Sequence, residues 1–254
     1  MSTRPTLSLL DADAPPQFPH PQQALREPDG LLAVGGKLNP EWVLTAYKHG
    51  IFPWFGEGEP PLWWSPDPRC VFATAPVHVS RSLRKHMRHC GWQLTLNRAF
   101  LAVIRACARP DSSTGSWITP AMITTYHALH RAGHAHSIEI WEADRLIGGL
   151  YGVAIGRLFC GESMFSHRSN ASKVALTGIR HLLHQWQMPL LDAQVGNPHL
   201  YRMGAQNLPR PAFLQAVQQL TALPSPPDAF KLAQPMDVKV LAHQAIASTR
   251  HASS

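Results

Sequence analysis

The sequence predicts an α+β domain, with helices and strands in mixed order rather than a regular run of βαβ units. Two observations carry this. Tyr151–Ile155 and Leu158–Cys160 are apolar, strand-like runs around the turn residues Gly156-Arg157. Segment 171–187 places Ala175, Ile179, Leu182, Leu183 and Trp186 on one stripe, the pattern of a helix packed on a sheet. At 254 residues the chain can bury a substantial core, as one large domain or two small ones.

Taken in order, residues 1–20 contain Pro15-Pro16 and little periodicity, so the extreme N-terminus is expected to be loosely held. A compact small unit is expected from Gly30 to about Pro66. Asn39-Pro40-Glu41 opens a helix with proline at its first position; Gly50 ends it, and the Trp/Pro-rich segment after it is expected as an ordered loop. Further helices are predicted near 80–90, 97–108, 120–132, 171–187 and 210–221. Strands are predicted near 93–96, 137–142, 146–154, 157–161 and 189–194. From Pro224 onward apolar residues thin out and Pro226-Pro227 intervenes, so a flexible tail is expected, placed at 233–254. The expected units are therefore 1–66, 67–232 and this tail.

Composition narrows the function classes. No run of 18 apolar residues suggests a membrane span, and the N-terminus lacks a basic segment followed by an apolar run. Cys70, Cys90, Cys107 and Cys160 are widely spaced with no CxxC pair, which argues against a zinc knuckle or disulfide framework and fits a reducing cytoplasm. His127, His130, His134 and His136 invite a metal reading, but Gly133 interrupts their helix and no carboxylate follows His130; no metal is expected. Gly35-Gly36 is expected as a turn.

The net charge of +7 is unevenly spread. Between Pro68 and Pro110 there is no Asp or Glu, while Arg69, Arg81, Arg84, Lys85, Arg88, Arg98, Arg105 and Arg109 fall inside. With Ser80 as N-cap, Arg81, Arg84, Lys85 and Arg88 recur at i, i+3, i+4 and i+7. Four cations on one helix face suit a polyphosphate backbone, although a solvated basic face is the simpler alternative.

The chemistry-bearing stretch is Gly148–Lys173, GGLYGVAIGRLFCGESMFSHRSNASK, followed by LDAQV at Leu191–Val195. Glu162 stands there among large apolar residues, where an acid costs several kcal/mol of desolvation unless paired or hydrogen-bonded. The residue types alone leave Glu162 open between a hairpin-capping carboxylate and a site residue, and a strand-terminal Asp192 open between a turn residue and a catalytic one.

This segment resembles the signature of the leucyl/phenylalanyl-tRNA–protein transferase family. The resemblance extends to Glu27–Leu32 (EPDGLL), Gly50–Phe55 (GIFPWF), Trp63–Arg69 (WWSPDPR), His78–Ser82, Trp117–Thr119 and His134–Glu139, and covers roughly Phe18 to Phe213. It implies a GNAT-like acyltransferase domain over 67–232 after a small N-terminal domain. It also implies transfer of Leu, Phe and less efficiently Met from aminoacyl-tRNA to proteins beginning with Arg or Lys. The product is an N-degron delivered by an adaptor to a protease, and the enzyme a cytoplasmic monomer without cofactor.

Residue by residue, the resemblance puts Asp192 and Gln194 in the active site and Glu162 in the substrate site. It places Phe159, Met164, Leu176 and Ile179 in the apolar donor pocket, although each reads most simply as core. Trp54 and Trp117, two of eight tryptophans, match those that contact the terminal adenosine. The family usually has Cys between its active-site Asp and Gln; here it is Ala193, which excludes a required thiol at that position.

An aminoacyl ester is already activated, so positioning and charge stabilisation can carry most of its aminolysis. The absence of GxSxG, HExxH, Walker and GxGxxG motifs agrees. Asp192 is then expected to orient the amine and accept its proton through Gln194. Two alternatives stay open: an acetyl-CoA-dependent N-acetyltransferase, disfavoured by the missing R/Q-x-x-G-x-G/A loop, and a non-catalytic RNA-binding module, supported only by the basic helix.

Overall fold

A computed structural model describes residues 7–77, 79–108 and 117–243. Arg109, the first six residues and the last part of the expected tail lie outside the described residues.

The small N-terminal unit is built on β1 (Ser8–Leu10), β2 (Leu31–Gly35), α1 (Pro40–Lys48), β3 (Phe52–Pro53) and β4 (Leu62–Trp64). Its four-stranded sheet runs in the order β1-β2-β4-β3. Helix α1 starts where Asn39 Oδ1 accepts the Trp42 N–H at 3.0 Å. It stops at Gly50, whose φ of +72° is open to glycine and whose Cβ, if present, would lie 2.7 Å from Leu214 Cδ2. The Trp/Pro-rich segment expected as loop contains β3 and β4 instead. Pro53 fits because β3 is an edge strand, where a missing N–H breaks no interior ladder.

The larger unit comprises β5 (Arg69–Ala73), α2 (Arg81–His89), β6 (Gln93–Leu96), α3 (Phe100–Ala108), α4 (Pro120–Arg131), β7 (Ala135–Glu142), β8 (Arg145–Ile155) and β9 (Leu158–Ser166). It continues through α5 (Ala171–Gln185), β10 (Leu190–Gln194), α6 (Pro198–Arg202), β11 (Gln206–Leu208), α7 (Arg210–Ala222) and β12 (Met236–Asp237). Its eight-stranded sheet has the order β11-β5-β10-β9-β8-β7-β6-β12, with one parallel pair, β9 and β10.

Alternation along β8 sorts the core into two layers. Leu150 and Ala154 join the cluster under α2 and α5; Tyr151, Val153 and Ile155 join the cluster that α3, α4 and α7 share with α1 and the sheet of the small unit. The predicted stripe of α5 is buried at Ala175, Ile179, Leu182 and Leu183. Helix α3 begins later than expected because Asn97 links segments instead, accepting the Ser137 N–H and donating to the Phe230 carbonyl. Glu139 Oε1 accepts the Ala99 N–H at that helix start.

Part of the expected flexible tail is packed. Strand β12 pairs with β6, Val238, Leu241 and Ala242 are buried, and the Phe230 ring stacks on His136 at 3.8 Å. A few well-spaced apolar residues suffice there because the sheet edge they cover is already in place. Among the described residues no helix is long and apolar enough to cross a membrane.

Two irregularities create the site. The parallel pairing of β9 and β10 ends at Cys160 and Asp192. Beyond it β9 stays with β8 as far as Ser166 and Gly148, whereas β10 shifts register on β5, leaving Ala193 as the extra residue. A second bulge between Tyr151/Ser163 and Gly152/Gly161 makes Glu162 the extra residue of β9. Gly152 is required there, since a Cβ would lie 2.3 Å from the Cys160 carbonyl oxygen. The two central strands therefore part, and both bulged residues face the gap.

Candidate active site

The gap is a cavity of about 800 Å³. Of the residues singled out in the sequence, Trp54, Trp117, Glu162, Met164, Leu176 and Gln194 line it. Trp54 remains 41 % exposed at its mouth, as an aromatic surface waiting for a partner would be. Phe159 and Ile179 do not line the cavity; both are fully buried in the sheet core, with Phe159 against the Phe230 ring at 5.5 Å. Leu150, Leu191 and Phe72 supply apolar wall that the sequence reading missed. Position along the elements explains the exchange: Phe159 sits opposite Leu191 where β9 and β10 are still paired, before the strands part, and Ile179 lies about one turn further along α5 than Leu176.

Asp192 is absent from the lining as well. Its carboxylate is fully buried and accepts from Arg69, Nε to Oδ1 at 2.8 Å and Nη2 to Oδ2 at 2.7 Å. Arg69 also donates to the Gly50 carbonyl and is sandwiched between the Phe52 and Phe213 rings. Burial works against the guanidinium charge, but Asp192 beside it more than restores it and holds its pKa above the ordinary value. The Asp192 carboxylate reaches the cavity indirectly. Its Oδ1 accepts the Gln194 N–H at 2.9 Å, fixing Gln194 in a left-handed conformation at φ +59° that aims its side chain at Glu162.

Glu162 is the one carboxylate among the described lining residues. Three donors converge on it: Tyr47 Oη at 2.6 Å and Gln194 Nε2 at 2.9 Å on Oε1, and Tyr126 Oη at 3.0 Å on Oε2. The two phenol oxygens lie 2.9 Å apart. Burial raises the Glu162 pKa from the ordinary 4.5 to about 7; the phenol and amide donations pull it down, and the nearby Asp192 charge adds to the rise. Tyr47 on α1 and Tyr126 on α4 were missed in the sequence, where tyrosines on two unremarkable helices carry no signal.

The basic helix forms as expected, with Ser80 Oγ accepting the Leu83 N–H. Arg81, Lys85 and Arg88 are exposed, whereas Arg84 is half-buried and donates to the Val79 carbonyl. None of the four lines the cavity. Among the described residues no group of three or more His, Cys, Asp or Glu is placed to hold a metal ion.

A mixed sheet whose central parallel strands part around a cavity, with helices on both faces and a small preceding domain, defines a GNAT-like acyltransferase. A family model described as leucyl/phenylalanyl-tRNA protein transferase matches residues 71–218, and its N-terminal domain matches residues 36–67. The chain is 53 % identical over 225 residues to the leucyl/phenylalanyl-tRNA–protein transferase of Xanthomonas campestris pv. campestris (strain B100), covering 87 % of this chain and 90 % of that one. Identity to the enzyme of the same name from Xanthomonas euvesicatoria pv. vesicatoria (strain 85-10) is 54 %, over 89 % and 91 % of the two chains. To that of Shewanella baltica (strain OS185) it is 51 %, over 83 % and 89 %. The chain belongs to the leucyl/phenylalanyl-tRNA–protein transferase family.

Proposed function

We propose that the protein transfers Leu or Phe, and less efficiently Met, from aminoacyl-tRNA to the N-terminus of proteins beginning with Arg or Lys. The observation that carries this reading is the cavity itself: apolar at Met164, Leu176, Leu150 and Leu191, aromatic at its Trp54 and Trp117 walls, with a carboxyl group at Glu162. The donor side chain fills the apolar part and the terminal adenosine meets the tryptophans. The basic face of α2 carries the tRNA backbone outside the cavity. Gln194 orients the amine. Asp192 positions Gln194 and, with Arg69, supplies the fixed electrostatics around the reacting ester.

Both Asp192 oxygens are committed to Arg69, so Glu162 is the carboxyl group that meets incoming ammonium groups. Acceptors with a second, cationic charge on their first side chain are drawn to that acid. The resulting N-degrons are read by a protease adaptor, and the enzyme works as a cytoplasmic monomer without cofactor.

An amide-linked aminoacyl-adenosine, which mimics the tRNA 3′ end and cannot react, tests the donor site. Leucyl and phenylalanyl forms should compete with Leu-tRNA, while the valyl form should bind about tenfold or more weakly, since one methylene and a β-branch are worth about 1–3 kcal/mol in such a pocket. Equal competition by all three would remove the apolar cavity as the donor site.

A further inference from the structure

The second cluster of chemistry in the molecule is the ring formed by Glu162, Tyr47 and Tyr126. Three oxygen–oxygen contacts close it: Tyr47 to Glu162 at 2.6 Å, Tyr126 to Glu162 at 3.0 Å and Tyr47 to Tyr126 at 2.9 Å. Each phenol brings one proton, and an ionised carboxylate brings none. Two protons cannot serve three contacts. If both phenols donate to the carboxylate, their own oxygens face each other without a hydrogen between them. One more proton, on Glu162 Oε2, completes a closed circuit. The acid then donates to Tyr126, Tyr126 donates to Tyr47, and Tyr47 donates to Glu162 Oε1. Each phenol oxygen then gives and receives, while Oε2 gives and Oε1 receives.

From this circuit and its place on the cavity wall, we propose that Glu162 is the proton acceptor for the attacking amine, and that Tyr47 and Tyr126 form the seat that stores the proton. The proposal rests on the aminoacyl-transfer reading above. Asp192 is unsuited to the task, since it faces Arg69 and not the cavity.

The step balances. The acceptor arrives as an α-ammonium, and ionised Glu162 takes its first proton as the circuit closes. The nitrogen lone pair then forms the C–N bond at the ester carbonyl carbon, and the carbonyl π pair moves onto oxygen. When that pair returns, the C–O bond to the ribose breaks and the ribose oxygen leaves with the nitrogen's second proton. Glu162 releases the first proton to solvent and is ready again. Proton affinities match, because Glu162 is held at about 7 and an α-amino group lies at about 7.7–8.0.

The groups facing Glu162 come from five elements. Tyr47 is on α1, Tyr126 on α4, Tyr151 on β8, Cys160 on β9 with Glu162 itself, and Asp192 with Gln194 on β10; Arg69 of β5 neutralises Asp192 behind them. Tyr151, fully buried and on the cavity wall, has a hydroxyl with no hydrogen-bond partner among the described residues. Tyr47, Tyr126, Tyr151 and Cys160 all have pKa values raised well above ordinary, by burial first and then by their anionic or phenolic neighbours, so they stay neutral while Glu162 titrates.

Glu162→Gln is the informative variant, because a glutamine imitates the protonated acid. Its amide N–H donates to Tyr126 and its carbonyl accepts from Tyr47, so the ring persists but can take no proton. Transfer should fall about 100-fold, the scale of a lost general base. The alkaline-rising limb of kcat/KM that belongs to the enzyme should vanish, leaving only the limb of the acceptor amine. In Tyr47→Phe and Tyr126→Phe the anion loses a donor. The enzyme limb should therefore move to higher pH while the amine limb stays put.

A readout independent of activity is stability. A carboxyl whose folded pKa is raised binds its proton more tightly when folded, so wild-type stability relative to Glu162→Gln should be flat below about 4.5 and fall as pH rises to about 7. The difference cancels His136, whose pKa burial lowers to about 3 and whose slope is opposite. A wild-type rate in Glu162→Gln, enzyme limbs unmoved in the two Phe variants, or a stability difference without slope would each overturn the proposal. A wild-type protein that shows the stability slope but transfers no amino acid overturns the base role together with the functional reading, and leaves the ring standing.

Discussion

Asp192→Asn is expected to destabilise the protein by about 3–5 kcal/mol, the scale for removing one partner of a buried ion pair. Arg69 would remain fully buried with its counter-charge gone, between two aromatic rings that cannot replace it. The single change also disturbs the site, since Asp192 holds the Gln194 N–H and with it the left-handed turn that aims Gln194 at Glu162. Denaturant midpoints of the wild type, Asp192→Asn, and Arg69→Met combined with Asp192→Leu measure this. The double variant should recover most of the lost stability, because apolar residues of similar volume replace buried pairs at little cost. It should not recover transfer, because Gln194 stays unanchored. A single variant as stable as wild type would show that the pair contributes nothing and that Asp192 must be read another way.

The second large effect concerns the two tryptophans of the cavity wall. Stacking of a base on an aromatic ring is worth about 1–3 kcal/mol, so Trp54→Ala with Trp117→Ala should raise the KM for aminoacyl-tRNA by about two orders of magnitude or more. Stability should change little at Trp54, which is 41 % exposed and packs at a tilt of 58° on Trp64 with ring centres 5.5 Å apart. The KM for the acceptor peptide should be unaffected. A double variant with unchanged KM for aminoacyl-tRNA would remove the adenosine from this wall.

How much of this was legible in the chain depends on sequence distance. The longer helices and the central strands of the larger unit were readable because each declares itself within a few residues, through a cap such as Ser80 or a stripe such as that of α5, whereas β5 and the short α6, β11 and β12 were not expected. Motif residues on the cavity side of their strands, Glu162, Met164 and Gln194, were found as well. Phe159 and Ile179 belong to the same segments but lie in the core, Phe159 before β9 and β10 part and Ile179 a turn beyond Leu176 on α5, and no motif shows where a strand pair opens.

Longer separations carried no local signal. Arg69 lies 123 residues from Asp192, and Tyr47 lies 115 residues from Glu162. The reading of Arg69 as one cation in a basic stretch missed its place as the buried partner of Asp192. The role expected of Asp192 changed for the same reason: an aspartate at a strand end looks available until its partner is known. The tail was underestimated because β12 and the residues after it depend on a sheet edge formed by β6, far back in the chain.

The measurement that tests the central claim most directly is transfer of labelled leucine from Leu-tRNA to matched peptides that begin with Arg or with Ala. The account predicts label on the Arg peptide, little or none on the Ala peptide, and loss of transfer in Glu162→Gln although that variant is folded and still binds Leu-tRNA. Tight binding of Leu-tRNA by the wild type with no label on either peptide would contradict it, leaving an RNA-binding protein on an acyltransferase fold.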